Sequence, residues 1–183
     1  FFFGLHMETQ DLTDNVEVVD CLNQLQPADK VKEMLKGAGR VESDDDEQLF
    51  FHFSFRNPCK IKSIVFVSPN DGSRPNTIKL YSNAQSVSFG MVSQEAATQE
   101  VVIDWAPDAQ GDQMRGTAAL KFVRFQEVAK LGLFVEDNVG GEDVTVIEGL
   151  TIMGQLINTE GAKHQISMKG HADESHSLGK TAK

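Results

Sequence analysis

The most concentrated charge in this sequence is a run of acids that could bind a cation or a basic protein surface. Its carboxylates belong to Glu42, Asp44, Asp45, Asp46 and Glu47. Adjacent carboxylates repel one another unless a cation or hydrogen-bond donors stabilise them. The run lacks the glycine and the spaced bidentate glutamate of an EF-hand loop. We therefore predict no metal site here, but a loop in which hydrogen bonds fix at least one carboxylate.

The two cysteines are the strongest nucleophiles in the chain, but their spacing gives no catalytic motif. Cys21 and Cys59 form no Cys-x-x-Cys pair, neither is next to a histidine, and the chain has no Gly-x-Ser-x-Gly element. We predict no catalytic residues, no cofactor and two reduced, buried thiols. A single disulfide and a triad assembled from distant residues remain open alternatives, and a redox role is the third and weakest functional hypothesis.

The histidines match no metal-binding signature. His52 alternates with apolar phenylalanines and is predicted to face solvent. The spacing of His164, His171 and His176 fits neither zinc fingers nor metalloproteases. A histidine of this C-terminal segment could instead reach a metal centre on a partner protein, as an alternative to a solvated tail.

Two further groups of residues bear on ligand binding. Lys121, Arg124 and Lys130 gather basic charge, but their acidic surroundings argue against a phosphate groove. Carbohydrate sites require exposed aromatic platforms, for which this chain offers Trp105 and Tyr81. A small-ligand or carbohydrate-binding module is therefore the alternative function.

Composition excludes several classes of protein. The chain has 183 residues, which suits one domain, and its 17 Lys and Arg against 27 Asp and Glu give a net charge of −10. Such a surface repels nucleic acid and anionic lipid, and no apolar run approaches the ~20 residues of a spanning helix. No secretory signal is visible at the start, so a cytoplasmic location that extends to the nucleus is expected.

The elements that must position these residues are almost all strands. Helical spacing between Pro27 and Gly37 predicts one short helix. Alternating apolar residues and turn signals predict about seven or eight strands, the first ending at Asn57-Pro58. The predicted strands include 51–55, 60–67, 77–82, 99–105, 120–126, 131–136 and 144–156. Residues 83–98 are interpreted as a long connection with at most one weak edge strand. This pattern indicates an all-β fold, an antiparallel β-sandwich or jelly roll.

The two ends of the chain differ from this pattern. Residues 1–7 are interpreted as a cloning remnant and residues 8–158 as the β-sandwich domain. Residues 159–183 are rich in Gly, Ser, Lys and His, and cannot bury enough apolar surface to offset their chain entropy. We predict that they form a flexible tail.

Several segments together resemble the PITH domain, a proteasome-interacting module found at the C-terminus of thioredoxin-like proteins and as a free-standing domain. The most specific match is the stretch Glu-Ser-Asp-x-Asp-Glu-Gln-Leu at 42–49. The others are Cys-Leu-Asn at 21–23, Lys-Phe-Val-Arg-Phe-Gln-Glu-Val at 121–128, Leu-Phe-Val-Glu at 133–136 and Ile-Met-Gly at 152–154. Phe122 replaces the family's usual Tyr, and Glu127 its Asn.

The resemblance implies a galactose-binding-domain-like jelly roll without catalytic activity. It also implies docking to the proteasome regulatory particle, since redox chemistry in this family belongs to an attached thioredoxin domain. The acidic run would supply the contact, and His176 resembles the histidine that ends some members. The chain is either a fragment of a larger thioredoxin-like protein or a stand-alone member, and we expect a monomer.

Overall fold

The predicted helix and most of the predicted strands are present in the structure, a computed structural model that describes residues 8–85 and 88–157. Within these residues the chain forms the following elements in order: β1 (Gln10–Asp11), β2 (Val16–Leu22), α1 (Ala28–Leu35), β3 (Val41–Glu42), β4 (Leu49–Pro69), β5 (Thr77–Ser82), α2 (Phe89–Gln94), β6 (Gln99–Val102), β7 (Asp104–Pro107), β8 (Gln113–Ala119), β9 (Val128–Val135), β10 (Val146–Ile147) and β11 (Gly149–Leu156). None of the helices in this part of the chain has the length and apolar character needed to cross a bilayer.

One long strand, β4, belongs to both layers of the fold. Its first half pairs with β2 and β9, and β9 continues through β5 to β6. Its second half pairs with β11 and β8, which carry β1 and β7 outside them. All of these pairs are antiparallel, so the expected β-sandwich architecture is confirmed.

The strand end predicted at Asn57-Pro58 is instead the place where β4 changes partners. The register with β9 shifts between Ser54 and Cys59, so the intervening residues leave the ladder. A proline is tolerated at such an irregularity because it has no N–H to donate to a neighbouring strand. The pattern was therefore correct about the interruption but wrong about the end of the strand.

The two layers enclose one hydrophobic core. Phe51, Phe53 and Leu133 from one layer and Phe66 and Ile152 from the other are fully or almost fully buried in a single cluster. Helix α1 adds Val31, Met34 and Leu35 to it, as its helical spacing predicts. The alternation of the phenylalanines thus identifies the inner face of β4 correctly.

The outer face of β4 is also covered, which the sequence analysis did not predict. A second, smaller cluster lies there, which we call the outer cluster. It contains Phe50, Tyr81, Phe134 and Met91, the last of them from α2. His52 lies on this face and is only 8% exposed, so the prediction that it faces solvent was wrong. The sequence predicted a long connection with a weak edge strand at 83–98, but α2 forms within this range and packs over the outer face of the sheet.

Three smaller differences concern individual strands. The strand predicted at 120–126 is a tight 3-10 turn at Phe122–Arg124, and the strand predicted at 99–105 is divided into β6 and β7. The β2 strand was not predicted, since its residues alternate poorly between apolar and polar types.

Candidate docking surface

The acidic run forms an exposed loop at one end of the sandwich, between β3 and β4. We call residues 42–47 the acid loop. Asp44, Asp45 and Asp46 are exposed, whereas Glu42 and Glu47 are half-buried and Ser43 is buried. The loop therefore presents three neighbouring carboxylates to solvent from a backbone that is anchored on both sides.

The first anchor is Asn23, at the end of the Cys-Leu-Asn segment. Its backbone carbonyl accepts a hydrogen bond from Asp44 N at 2.9 Å, and its Oδ1 accepts one from Asp45 N at 3.0 Å. Its Nδ2 donates to Asp46 Oδ1 at 2.8 Å and to Gln48 O at 2.7 Å. Asn23 has a φ of +66°, a left-handed conformation that asparagine tolerates better than most residues.

The second anchor is Thr145, which reaches the acid loop from the opposite side. Ser43 N donates to Thr145 O at 3.0 Å, and Thr145 N donates to Ser43 Oγ at 2.9 Å. Thr145 Oγ1 donates to Glu47 O at 2.6 Å. Both side chains are almost completely buried, so water does not compete for these bonds.

Several carboxylates of the acid loop are themselves fixed. Asp46 Oδ1 also accepts from Gln48 N at 2.9 Å. Glu42 Oε1 lies 2.6 Å from Arg40 Nη2, and Arg40 Nη1 lies 3.2 Å from Glu148 Oε1. The expectation that at least one acid is held by hydrogen bonds is therefore confirmed. By contrast, the side chains of Asp44 and Asp45 make no hydrogen bond or ion pair to other described residues.

The negative surface extends beyond the acidic run. Glu142 and Asp143 are exposed in the loop that leads to Thr145, and they line a shallow cavity of about 390 Å³ with Asp71. Sequence reasoning missed these two acids because they lie about a hundred positions from the acidic run. Gly140 N donates to Gly72 O and so joins this loop to the turn that carries Asp71, while Thr145 joins it to the acid loop.

One exposed apolar side chain lies beside the acid loop. Leu25 is 56% exposed, and its N–H donates to Glu42 O at 2.9 Å. An exposed leucine next to exposed carboxylates is a combination found at protein–protein contacts, where an apolar anchor is surrounded by polar groups. His176 and the other C-terminal histidines lie outside the described residues.

The acidic side chains and the two cysteines are also the groups that metal or redox chemistry would use. Among the described residues, no group of three or more His, Cys, Asp or Glu side chains could hold a metal ion. Cys21 and Cys59 are both free and buried, as predicted. Burial raises the pKa of the Cys59 thiol to about 12 and raises that of Cys21 further still, so neither is a thiolate at neutral pH.

The two aromatic residues considered as carbohydrate platforms are used in packing. Tyr81 is 3% exposed within the outer cluster. Trp105 packs against the core, 6.4 Å from the Phe66 ring, and its Nε1 donates to Pro75 O at 2.8 Å. Tyr81 is too deeply buried to stack on a sugar, and Trp105 is fixed at its polar edge.

Comparison with known proteins agrees with this architecture and identifies the family. A family model described as the PITH domain matches residues 6–172. The chain belongs to the PITH domain family. The resemblance carried by the segments at 21–23 and 42–49 is thus confirmed. The match reaches past residue 158, while the domain boundaries drawn from the sequence stay a prediction.

Relatives in this family carry names of two kinds, thioredoxin-like protein and PITH domain-containing protein. Thioredoxin-like protein 1 of Schizosaccharomyces pombe is 36% identical over 142 residues, which cover 76% of this chain and 48% of that protein. PITH domain-containing protein CG6153 of Drosophila melanogaster is 30% identical over 164 residues, or 85% of this chain and 71% of that protein. The chain therefore spans about half of the first relative and somewhat more than two thirds of the second.

Solved structures share the fold with low sequence identity. The family 32 carbohydrate-binding module of Clostridium perfringens NanJ, solved with galactose, has a TM-score of 0.55 at 11% identity and covers 80% of this chain and 99% of that one. The C-terminal domain of a chitobiase from Bacteroides fragilis has a TM-score of 0.54 at 11% identity, covering 81% and 100%. At this identity the likeness confirms the galactose-binding-like jelly roll and nothing more.

Proposed function

We propose that this PITH domain is a non-enzymatic interaction module that docks on the regulatory particle of the proteasome through its acid loop. The observation that carries the proposal is the exposure of Asp44 and Asp45 on a loop that Asn23 and Thr145 hold from both sides. A cytoplasmic location that extends to the nucleus belongs to the same proposal.

The rigidity of the acid loop favours binding because little conformational entropy is lost on association. Side chains that must be ordered at an interface cost about 0.5–1.5 kcal/mol each, and a backbone that is already fixed avoids the larger cost of ordering a loop. A cluster of carboxylates also accelerates the encounter with a basic surface, in a manner that salt weakens. Leu25 would then supply the apolar contact that stabilises the complex after the encounter.

The experiment that tests the proposal is recovery of proteasome regulatory subunits from cell extract on immobilised protein. The Asp44→Asn/Asp45→Asn variant removes two charges while leaving the backbone bonds of the loop in place. We expect recovery to fall severalfold for this variant, and to fall again when Leu25 is replaced by Ser.

The matched control removes the same charge from the other end of β2. Asp14→Asn/Glu17→Gln changes two exposed acids near Asn15, whose Nδ2 donates to Asn57 O, far from the acid loop. This control should recover regulatory subunits as the wild type does. Equal recovery with the acid-loop variant would remove the acid loop from the interface, and His176→Ala then tests the C-terminal segment as the alternative contact.

A further inference from the structure

A second surface, opposite in charge and position to the acid loop, lies at the other end of the sandwich. It is the 3-10 turn at Phe122–Arg124, together with Lys121 before it and Lys62 on β4. We call these residues the basic turn. The segment 121–128, which contains most of it, is one of those that resemble the PITH domain. The proposed docking through the acid loop does not involve the basic turn.

The positions of the two surfaces follow from β4. Both ends of this strand lie near the acid loop, since Leu49 pairs with Val135 and Val67 pairs with Gly149. Lys62 lies instead just after the interruption in the middle of the strand. Its carbonyl accepts a hydrogen bond from Leu120 N at 2.9 Å, which places the basic turn at the opposite end of the fold.

The basic turn is firmly held, although its apex is almost fully exposed. Phe125 is fully buried, and its carbonyl accepts a bond from Ile61 N at 3.0 Å. Lys121 N donates to Gln99 Oε1 at 2.7 Å, and Arg124 Nη1 donates to Thr98 O at 2.8 Å. Val123 at the apex is nevertheless 82% exposed, the highest value among the exposed large apolar residues of the described chain.

The basic turn carries positive charge, whereas the chain as a whole is negatively charged. Lys121 and Arg124 flank Val123 along the chain, and Lys62 lies beside the neighbouring Phe122. None of the three forms an ion pair with another described residue. Lys62 Nζ lies 5.4 Å from the centre of the Phe122 ring, which keeps an apolar surface beside the cations. In a chain with a net charge of −10, three cations grouped beside the most exposed large apolar residue are the distinctive feature of this turn.

We infer that the basic turn is a docking site for an acidic protein segment that carries an apolar side chain. The cations would contact carboxylates of the partner, and Val123 with the edge of Phe122 would contact its apolar side chain. A polyanion such as RNA fits less well, because the rest of the protein repels it and the apex of the turn is apolar. The turn needs no ordering on binding, since both of its ends are bonded to β4.

The test is fluorescence anisotropy with a labelled, glutamate-rich peptide that has leucine at its centre. We expect binding that weakens with added salt and is lost when the glutamates of the peptide are replaced by lysine. Lys121→Glu/Arg124→Glu should weaken binding at least tenfold. Val123→Ser should weaken it about tenfold, the effect of losing one buried valine-sized contact.

Matched variants distinguish a specific surface from general charge. Lys32→Glu/Lys36→Glu makes the same charge change within α1 and at the residue that follows it, and Val102→Ser removes the exposed valine of β6. Both should bind the peptide as the wild type does. All substituted side chains are exposed, and urea unfolding checks that each variant folds.

Three results would overturn the inference. They are no binding of the peptide, equal binding by the variants of the basic turn, or preference for single-stranded RNA over the peptide. Asp44→Asn/Asp45→Asn should retain peptide binding, so this inference and the proposed proteasome docking can fail independently.

Discussion

The side-chain amide of Asn23 donates a hydrogen bond to Asp46 Oδ1 at 2.8 Å and so joins the two most distinctive short segments of this sequence. The Cys-Leu-Asn segment supplies the donor, and the acidic segment supplies the carboxylate. The same asparagine bonds the backbone of Asp44, Asp45 and Gln48. The acid loop therefore has its shape because one residue bonds polar groups of Asp44, Asp45 and Asp46 and the carbonyl of Gln48 just after them.

Replacing Asn23 should destabilise the protein and loosen the acid loop together. Asn23→Gly keeps the left-handed backbone but loses the side-chain bonds, and we expect it to reduce the free energy of unfolding by about 1–3 kcal/mol. Asn23→Ala should cost about 1 kcal/mol more because alanine is disfavoured at positive φ. Urea unfolding measures both changes. The exposed Gln110→Ala variant should be unaffected, and a wild-type midpoint for Asn23→Gly would contradict this account.

Stability should fall on mild acidification because of His52. Burial lowers the pKa of His52 below its usual value of 6.5, despite an opposing hydrogen bond to the Ala84 backbone. The unfolded chain therefore binds a proton more readily than the folded one. This contribution to stability is fully present above the unfolded-state pKa and is lost as the pH falls through the folded-state pKa.

Urea unfolding at a series of pH values from about 7.5 to about 5.5 measures this effect, since histidine is the side chain that usually titrates in that range. His52→Leu should flatten the decline while keeping the outer cluster apolar. An unchanged slope in this variant would show that His52 does not titrate as its burial requires.

Both thiols should be inert in the folded protein. Cys59 is fully buried with a pKa raised to about 12, and Cys21 is 8% exposed. A colourimetric disulfide reagent should therefore detect no thiol until denaturant is added, and two thiols afterwards. A Lys32→Cys variant, with its thiol exposed on α1, should react at once and serves as the positive control. Rapid reaction of a native thiol would instead favour the redox hypothesis.

The close contact of β11 with β4 leaves no room for a side chain at Gly154. A Cβ atom at this position would clash with the backbone oxygen Lys60 O, at the point where the register between the two strands shifts. Gly154→Ala should therefore cost about 2 kcal/mol or more, since backbone must move to accommodate it. Gly90→Ala in α2 is the matched control, because its Cβ meets Ser88 Oγ only at 3.7 Å. That change should be neutral or stabilising, and thermal unfolding compares the two.

Galactose and related sugars should leave the fluorescence of Trp105 unchanged. Its Nε1 is bonded to Pro75 O and its ring packs against Gly116, whose added Cβ would lie 2.7 Å from Trp105 Cε3. A ring that is held on one face and at its polar edge is poorly placed to serve as a sugar platform. Titration of the native protein with sugars checks this. Saturable quenching would revive the carbohydrate-binding alternative.

The inner faces of the strands were predicted well, because residues alternate between apolar and polar types along a strand that is buried on one face. The prediction was wrong where both faces of one strand are buried, as they are at the start of β4. Phe50 and His52 point away from Phe51 and Phe53, and only the later α2 segment decides whether that face meets water. No local pattern around His52 contains this information.

The acid loop was predictable as a charged segment, but its geometry was not. Asn23 lies about twenty positions before the acids that it holds, and Thr145 about a hundred after them. Hydrogen bonds over such separations depend on which strands become neighbours. The resemblance to the PITH family identified both short segments, and the structure supplied the physical reason that they occur together.

The sharing of β4 between the two layers determines how the domain can come apart. Two layers formed by separate sheets could shift or separate without breaking a strand. Here the layers share the backbone of β4, so a movement of one layer displaces the other. Only the outermost strands can fray independently. Amide protons at 50–54 and 63–67, where β4 has a partner strand on each side, should therefore exchange with solvent at the rate of global unfolding. The acid loop and the basic turn are thus carried at fixed separation on a single stiff body.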